Sequence, residues 1–97
     1  MIRHIVFFSV KPSIDIDTVE RNLRKLGKIR HSSHFEIGRN RKVDPFCDRI
    51  DLVVYAEFKD EHALAAYKAD PLYSETTQKV RPLRELRFSA DYPVPTG

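Results

Sequence analysis

Ile2-Arg3-His4-Ile5-Val6-Phe7-Phe8-Ser9-Val10 opens the chain with a period of two. Ile2, His4, Val6, Phe8 and Val10 fall on one face of an extended strand, and Arg3, Ile5, Phe7 and Ser9 on the other. Both faces are apolar at the centre, so the strand needs cover on both sides. A second stretch behaves the same way. From Arg49 to Phe58, Ile50, Leu52, Val54, Ala56 and Phe58 share one face, while Asp51, Val53, Tyr55 and Glu57 share the other.

The segments around these two strands carry the signals of a mixed fold. Pro12 and Ser13 end the first strand, and Asp17 is expected to cap a helix with Glu20 at its N3 position, a variant of the capping box. Val19, Leu23 and Leu26 then recur at i, i+4 and i+7, with Gly27 placed to terminate the helix. His34 to Arg39 alternates more weakly and reads as a short strand, followed by a polar loop from Asn40 to Asp48 that includes Pro45. Asp60 is expected to cap a helix from Glu61 to Ala69 that packs through Ala63, Leu64 and Tyr67, and Pro71 starts a further helical segment limited by Pro82. In the last strand, Arg84 to Tyr92, the alternation assigns Leu86, Phe88, Ala90 and Tyr92 inward and Glu85, Arg87, Ser89 and Asp91 outward. Pro93 and Pro95 stop further pairing.

The resulting order, β-α-β-β-α-β, is that of an α+β ferredoxin-like fold with a four-stranded antiparallel sheet. Its first and third strands are central, and these are the two whose faces are both apolar. The helices cover one face of the sheet and leave Ile5, Phe7, Val53 and Tyr55 on the other. A second copy of the same sheet turns that patch into a core, so the pattern predicts a homodimer built sheet against sheet.

Composition sets the outer bounds. The chain has 97 residues, 17 Lys and Arg against 14 Asp and Glu, and one cysteine. One domain spanning 1–97 is expected, of a size that buries only about two thirds of its unfolded surface and gains from a partner subunit. The net charge of +3 is small and the two signs are interleaved, so neither nucleic acid nor a membrane surface is indicated. Cys47 has no partner for an intrachain disulfide, and the longest apolar run, Ile5 to Phe8, is far shorter than a membrane span. A soluble, cytoplasmic protein is the expectation.

The opening Met1 to Phe8 with Lys11-Pro12, then Phe58-Lys59-Asp60 leading into a helix, Tyr67 with Asp70-Pro71, and the terminal Asp91-Tyr92 together resemble the stress-responsive dimeric A/B barrel domain family, Dabb. The resemblance spans nearly the whole chain. It implies a homodimer in which two four-stranded sheets close a central barrel, with a separate small pocket in each subunit between the sheet and its own helices. The family is functionally mixed: some plant members are polyketide cyclases and others are stress-associated proteins without known chemistry. In cyclase members the pocket holds a strand-one histidine, which carries over to His4, and a tyrosine, which carries over to Tyr67. A His-Pro-x-x-His-like stretch follows in those members. Here it reads Asp70-Pro71-Leu72-Tyr73, so Tyr73 stands where the second histidine would be.

The chemistry of these residues is compatible with that trio. His4 shares its face with Ile2, Val6 and Phe8 and so points at the helices, within reach of Tyr67 and Tyr73. Imidazole is the group in this set suited to accept a proton near neutrality, and a tyrosine hydroxyl can donate to a developing oxyanion. Tyrosine, with a reference pKa near 10, is no base at neutral pH, which weakens the cyclase reading. His4, Tyr67 and Tyr73 are therefore the candidate catalytic residues, in a pocket for a small hydrophobic or aromatic ligand. The competing reading is a buried structural histidine flanked by core tyrosines.

Other constellations are weaker. His31 and His34 have no third Cys or His nearby, so no metal is expected, and with only three glycines and no phosphate loop no cofactor is expected either. Arg21, Arg24, Lys25, Lys28 and Arg30 follow Asp15, Asp17 and Glu20, a distribution that complements a helix dipole. Lys79, Arg81, Arg84 and Arg87 cluster before and within the last strand, a position open to a substrate carboxylate. The RNA recognition motif shares the strand and helix order, but its glycine-aromatic third-strand consensus is missing, and Asp51 and Glu57 would repel phosphates. Three functional readings stay open: a cyclase-like or other cofactor-independent activity, a non-enzymatic stress-associated dimer, and a cofactor-free monooxygenase on the related dimeric barrel fold.

Overall fold

The computed structural model describes residues 1–95; Thr96 and Gly97, the end of the expected single domain, lie outside them. Four strands form one antiparallel sheet: β1 (Ile2–Val10), β2 (His34–Arg39), β3 (Leu52–Phe58) and β4 (Arg84–Pro93). Their order is β2-β3-β1-β4, which makes the two strands with two apolar faces the central pair. Three helices, α1 (Ile16–Arg24), α2 (Glu61–Ala69) and α3 (Pro71–Val80), cover one face, and α1 runs on into a short 3₁₀ turn over Lys25–Lys28.

Val6, Phe8, Leu52, Val54, Ala56 and Phe58 from the sheet pack against Val19, Leu23, Leu26, Tyr67 and Val80 from the helical layer, and all are buried. The β-period of two on the central strands and the helical period on α1 thus meet in one core. Asp60 caps α2 by accepting from the Ala63 amide at 2.9 Å, and Asp70 caps α3 by accepting from the Leu72 amide at 2.9 Å, with Pro71 at the first helical position. A proline there is preset for the helix and has no amide to leave unpaired.

Four local expectations are corrected. The N-cap of α1 is Asp15, not Asp17: the Asp15 carboxylate accepts from the Asp17 amide at 3.1 Å. Asp17 and Glu20 instead bind the Arg39 guanidinium on β2, so neither serves in a capping box. Gly27 does not end an α-helix but lies inside the 3₁₀ turn, where a Cβ would stand 2.8 Å from Cδ1 of Phe35. It is needed for close approach to β2. Strand β3 begins at Leu52 rather than Arg49, because Asp51 is recruited sideways, accepting from the Val10 amide at 2.7 Å and pairing with Lys42 at 2.5 Å.

The fourth correction concerns β4. Residues directly opposite in an antiparallel pair project from the same face, and the register sets His4 opposite Asp91, Val6 opposite Ser89 and Phe8 opposite Arg87. Asp91, Ser89 and Arg87 therefore face the helices, and Phe88, Ala90 and Tyr92, expected inward, lie on the uncovered face. Phe88 is 58% exposed and Tyr92 38%. They join Ile5, Phe7 and Val53 in an apolar band across three strands. Around it run polar pairs: Arg3 donates to the Tyr92 hydroxyl, Tyr55 donates to Glu57 at 2.6 Å, and His34 bonds Glu36 at 2.6 Å. Among the described residues no helix is long and apolar enough to cross a membrane.

Candidate functional site

Strand β1 holds His4 at the centre of the sheet, on the helix side, where it is 2% exposed. Its Nδ1 is bonded to Asp91 Oδ1 on the neighbouring strand β4, to which the register brings it directly opposite. An ionised carboxylate only accepts, so Nδ1 carries the hydrogen and the neutral ring keeps its lone pair on Nε2. Nε2 has no partner among the described hydrogen bonds of the chain. Asp91 thereby selects the tautomer in which the free nitrogen is a proton acceptor, the arrangement that a carboxylate imposes on a catalytic histidine. The far oxygen of Asp91 lies 3.7 Å from Lys68 Nζ on α2, an exposed pairing of small energetic weight.

Aromatic rings fix the rest of the histidine. Phe58 and Tyr67 each meet it edge-on with ring centroids 6.1 Å away, and Phe58 and Tyr67 pack on each other at 4.9 Å. Tyr73 meets Tyr67 edge-on with centroids 5.2 Å apart and reaches His4 through it. The three candidate residues thus form one chain of contacts, His4 to Tyr67 to Tyr73, set by β1, α2 and α3.

A cavity of about 290 Å³ opens between the sheet and the helices, lined by His4, Tyr67 and Tyr73. Val6, Phe8, Leu23, Leu26, Val54 and Val80 supply apolar wall, and Thr77, Arg81, Arg84 and Arg87 supply polar groups. Burial pushes the Tyr67 hydroxyl pKa well above its ordinary value, and nearby Tyr73 adds to this while Arg87 opposes it. Tyr67 therefore remains protonated across the physiological range and is a hydrogen-bond donor in this site, not a base. A base with a directed lone pair, a buried phenol donor and apolar walls are the elements needed to draw a proton from a carbon acid and hold the resulting oxyanion.

Sequence reasoning missed Asp91. Alternation alone assigns it outward with the charged half of β4, and its adjacency to His4 exists only through the pairing of the first and last strands. The signal that could have found it is parity: once β1 and β4 are paired, the position opposite His4 must share its face. The other candidates separate. His34 lies on the uncovered face bonded to Glu36, and among the described residues no three His, Cys, Asp or Glu side chains come together to hold a metal ion. Lys79 pairs with Glu75 on α3 and does not line the cavity, whereas the three arginines of its cluster do.

Comparison with known proteins agrees with this architecture. The family model of the stress responsive A/B barrel domain, Dabb, matches residues 2–94. A Dabb family protein of Mesorhizobium loti with a ferredoxin-like fold is 30% identical, superposes with a TM-score of 0.80, and covers 99% of this chain and 97% of its own. A dimeric ferredoxin-like protein of unknown function from Jannaschia superposes at 0.84 with 18% identity, covering 96% of this chain and 98% of its own. An antibiotic biosynthesis monooxygenase superposes at 0.80 with 17% identity over 99% of this chain and 100% of its own. The last two likenesses are of fold alone. No curated protein matches the sequence.

Proposed function

For a chain that belongs to the stress responsive A/B barrel domain family, we propose a homodimer joined through its uncovered sheet faces, with one small-molecule site per subunit in the His4 cavity. There His4 Nε2 accepts a proton from the α-carbon of a bound carbonyl compound, and the Tyr67 hydroxyl donates to the enolate oxygen. Asp91 acts as a positioning residue through Nδ1, and Tyr73 orients Tyr67. The observation that carries the reading is the His4–Asp91 pair at the wall of a cavity, with Nε2 unpartnered among the described residues. Nε2 is not among the buried polar atoms that lack a partner, so it is open to the cavity, as a base requires.

The dimer rests on a separate observation: the uncovered face has an apolar centre and a polar rim, the anatomy of an interface. Dimeric relatives of the same fold support it. The family's cyclases are one precedent for such proton chemistry, although Tyr73 replaces the second histidine that resemblance would require.

Deuterium exchange at the α-carbon of a small aryl β-ketoester, ethyl benzoylacetate, followed by NMR in D₂O tests the chemistry. Wild type should accelerate exchange, His4→Ala should abolish the acceleration while remaining a dimer, and Asp91→Asn should shift the pH profile of what remains. Wild type with no acceleration would sink the proton-transfer reading and leave a binding protein. Substrate-dependent oxygen consumption would instead indicate the monooxygenase class.

A further inference from the structure

Three guanidinium groups on the same cavity have no part in the proton transfer. Arg81 follows α3 directly, Arg84 opens β4, and Arg87 stands on the helix-facing side of β4 opposite Phe8. All three line the His4 cavity. Of the arginines away from this cavity, Arg24 pairs with Glu20, and Arg39 with both Asp17 and Glu20. Arg81, Arg84 and Arg87 form no ion pair among the described residues. Arg84 is half-buried, and its burial together with the charges of Arg87 and Arg81 pushes its pKa below the ordinary value. Three like charges converge at one rim without an acidic partner among the described residues, and a planar fork of donors on each matches an oxyanion.

We propose that Arg81, Arg84 and Arg87 form an anion subsite, so that the ligand of this cavity is a small organic anion whose carboxylate or phosphate is held at the start of β4. The proposal rests on the reading of the cavity as a ligand site and specifies the ligand's class. The apolar body lies against Val6, Leu26 and Val54, toward His4. A cavity of about 290 Å³ holds roughly ten volumes the size of a liquid water, at about 30 Å³ each, which is the scale of a single-ring or short-chain compound. Arg87 and Asp91 project from the same face of β4, opposite Phe8 and His4, so the charged end and the proton-transfer groups share one side of the sheet and one cavity.

The test is isothermal titration of the full-length protein with three single-ring probes: benzoate, its neutral near-isostere benzamide, and phenyl phosphate. Wild type should bind at least one of the two anions tenfold or more tightly than benzamide, with the difference shrinking as salt is raised. Which anion binds tighter distinguishes a carboxylate from a phosphate ligand. Arg84→Gln and Arg87→Gln should each reduce the preference to about threefold or less. Arg87 is exposed, so its variant remains informative if Arg84→Gln fails to fold. Equal binding of benzamide and the anions, absence of binding by all three, or a preference unchanged in a folded Arg87→Gln would overturn the subsite. His4→Ala should keep the anion preference. Absence of isotope exchange in the wild type with that preference intact would therefore refute only the proton transfer, and exchange without the preference only the subsite.

Discussion

Removing the Asp91 carboxylate should destabilise this protein more than its partly exposed position suggests, because the loss falls on a buried partner. In Asp91→Ala, His4 keeps its place between Phe58 and Tyr67 but loses the acceptor of its Nδ1 hydrogen. A buried donor left without a partner costs about 1–3 kcal/mol. For a domain of this length that corresponds to a fall in Tm of roughly 5–20 °C, compared at equal protein concentration because a dimer's Tm depends on it. The ion pair between Asp91 and Lys68, removed by the same substitution, contributes little, since it is long and exposed. In a His4→Phe background there is no polar ring to strand, so Asp91→Ala should then cost under about 0.5 kcal/mol. Chemical denaturation of the wild type, both single variants and the double variant yields a coupling energy from the cycle. A coupling of about 1 kcal/mol or more is expected. Additive losses would refute the argument that Asp91 is present to satisfy and orient His4.

Phe7→Asp, which places a charge at the middle of the uncovered face, should dissociate the proposed dimer. Fully burying a Phe contributes about 1.5–3 kcal/mol, lost once from each subunit by symmetry, and native mass spectrometry would show a monomer, whereas an unaffected dimer would rule out that face. Gly27→Ala should destabilise by about 1 kcal/mol in urea unfolding, since its Cβ would press 2.8 Å from the Phe35 ring, and Phe35→Leu should restore part of the loss. Tyr67 binds its proton more tightly folded than unfolded, so its contribution is complete below the ordinary tyrosine pKa of about 10 and declines as pH rises beyond it. Tyr67→Phe should therefore flatten the loss of stability above about pH 10, without abolishing it, because Tyr55, raised by its hydrogen bond to Glu57, titrates in the same sense. An unchanged alkaline slope would show that Tyr67 ionises freely.

Much of the architecture is local in origin and so is legible in the chain. The two-faced alternation of Ile2–Val10 and of the stretch around Val53 and Tyr55 identifies the central strands, because only a strand covered on both sides tolerates apolar residues at successive positions. Asp60 reveals its cap by standing directly before a helical segment, and Pro71 marks the first position of the next. His4, Tyr67 and Tyr73 are nominated by the resemblance to the family's pocket, and strand parity adds only that His4 faces the helices. Asp15 is hidden by Asp17, which offers the same chemistry two residues later, and only the fold, by giving Asp17 and Glu20 to Arg39, separates them. Gly27 likewise matches a helix end, whereas its role is set by the Phe35 ring on another element.

The sequence by itself determined the order of elements, the identity of the central strands and the presence of an apolar sheet face in need of cover, since periodicity and capping act over a few residues. Tertiary structure decided which half of β4 faces the helices. A period of two divides a strand into two faces but carries no sign, and the sign comes from pairing with β1, near the opposite end of the chain. That one choice turns Phe88 and Tyr92 outward, sets Asp91 on His4, and brings Arg87 to the cavity.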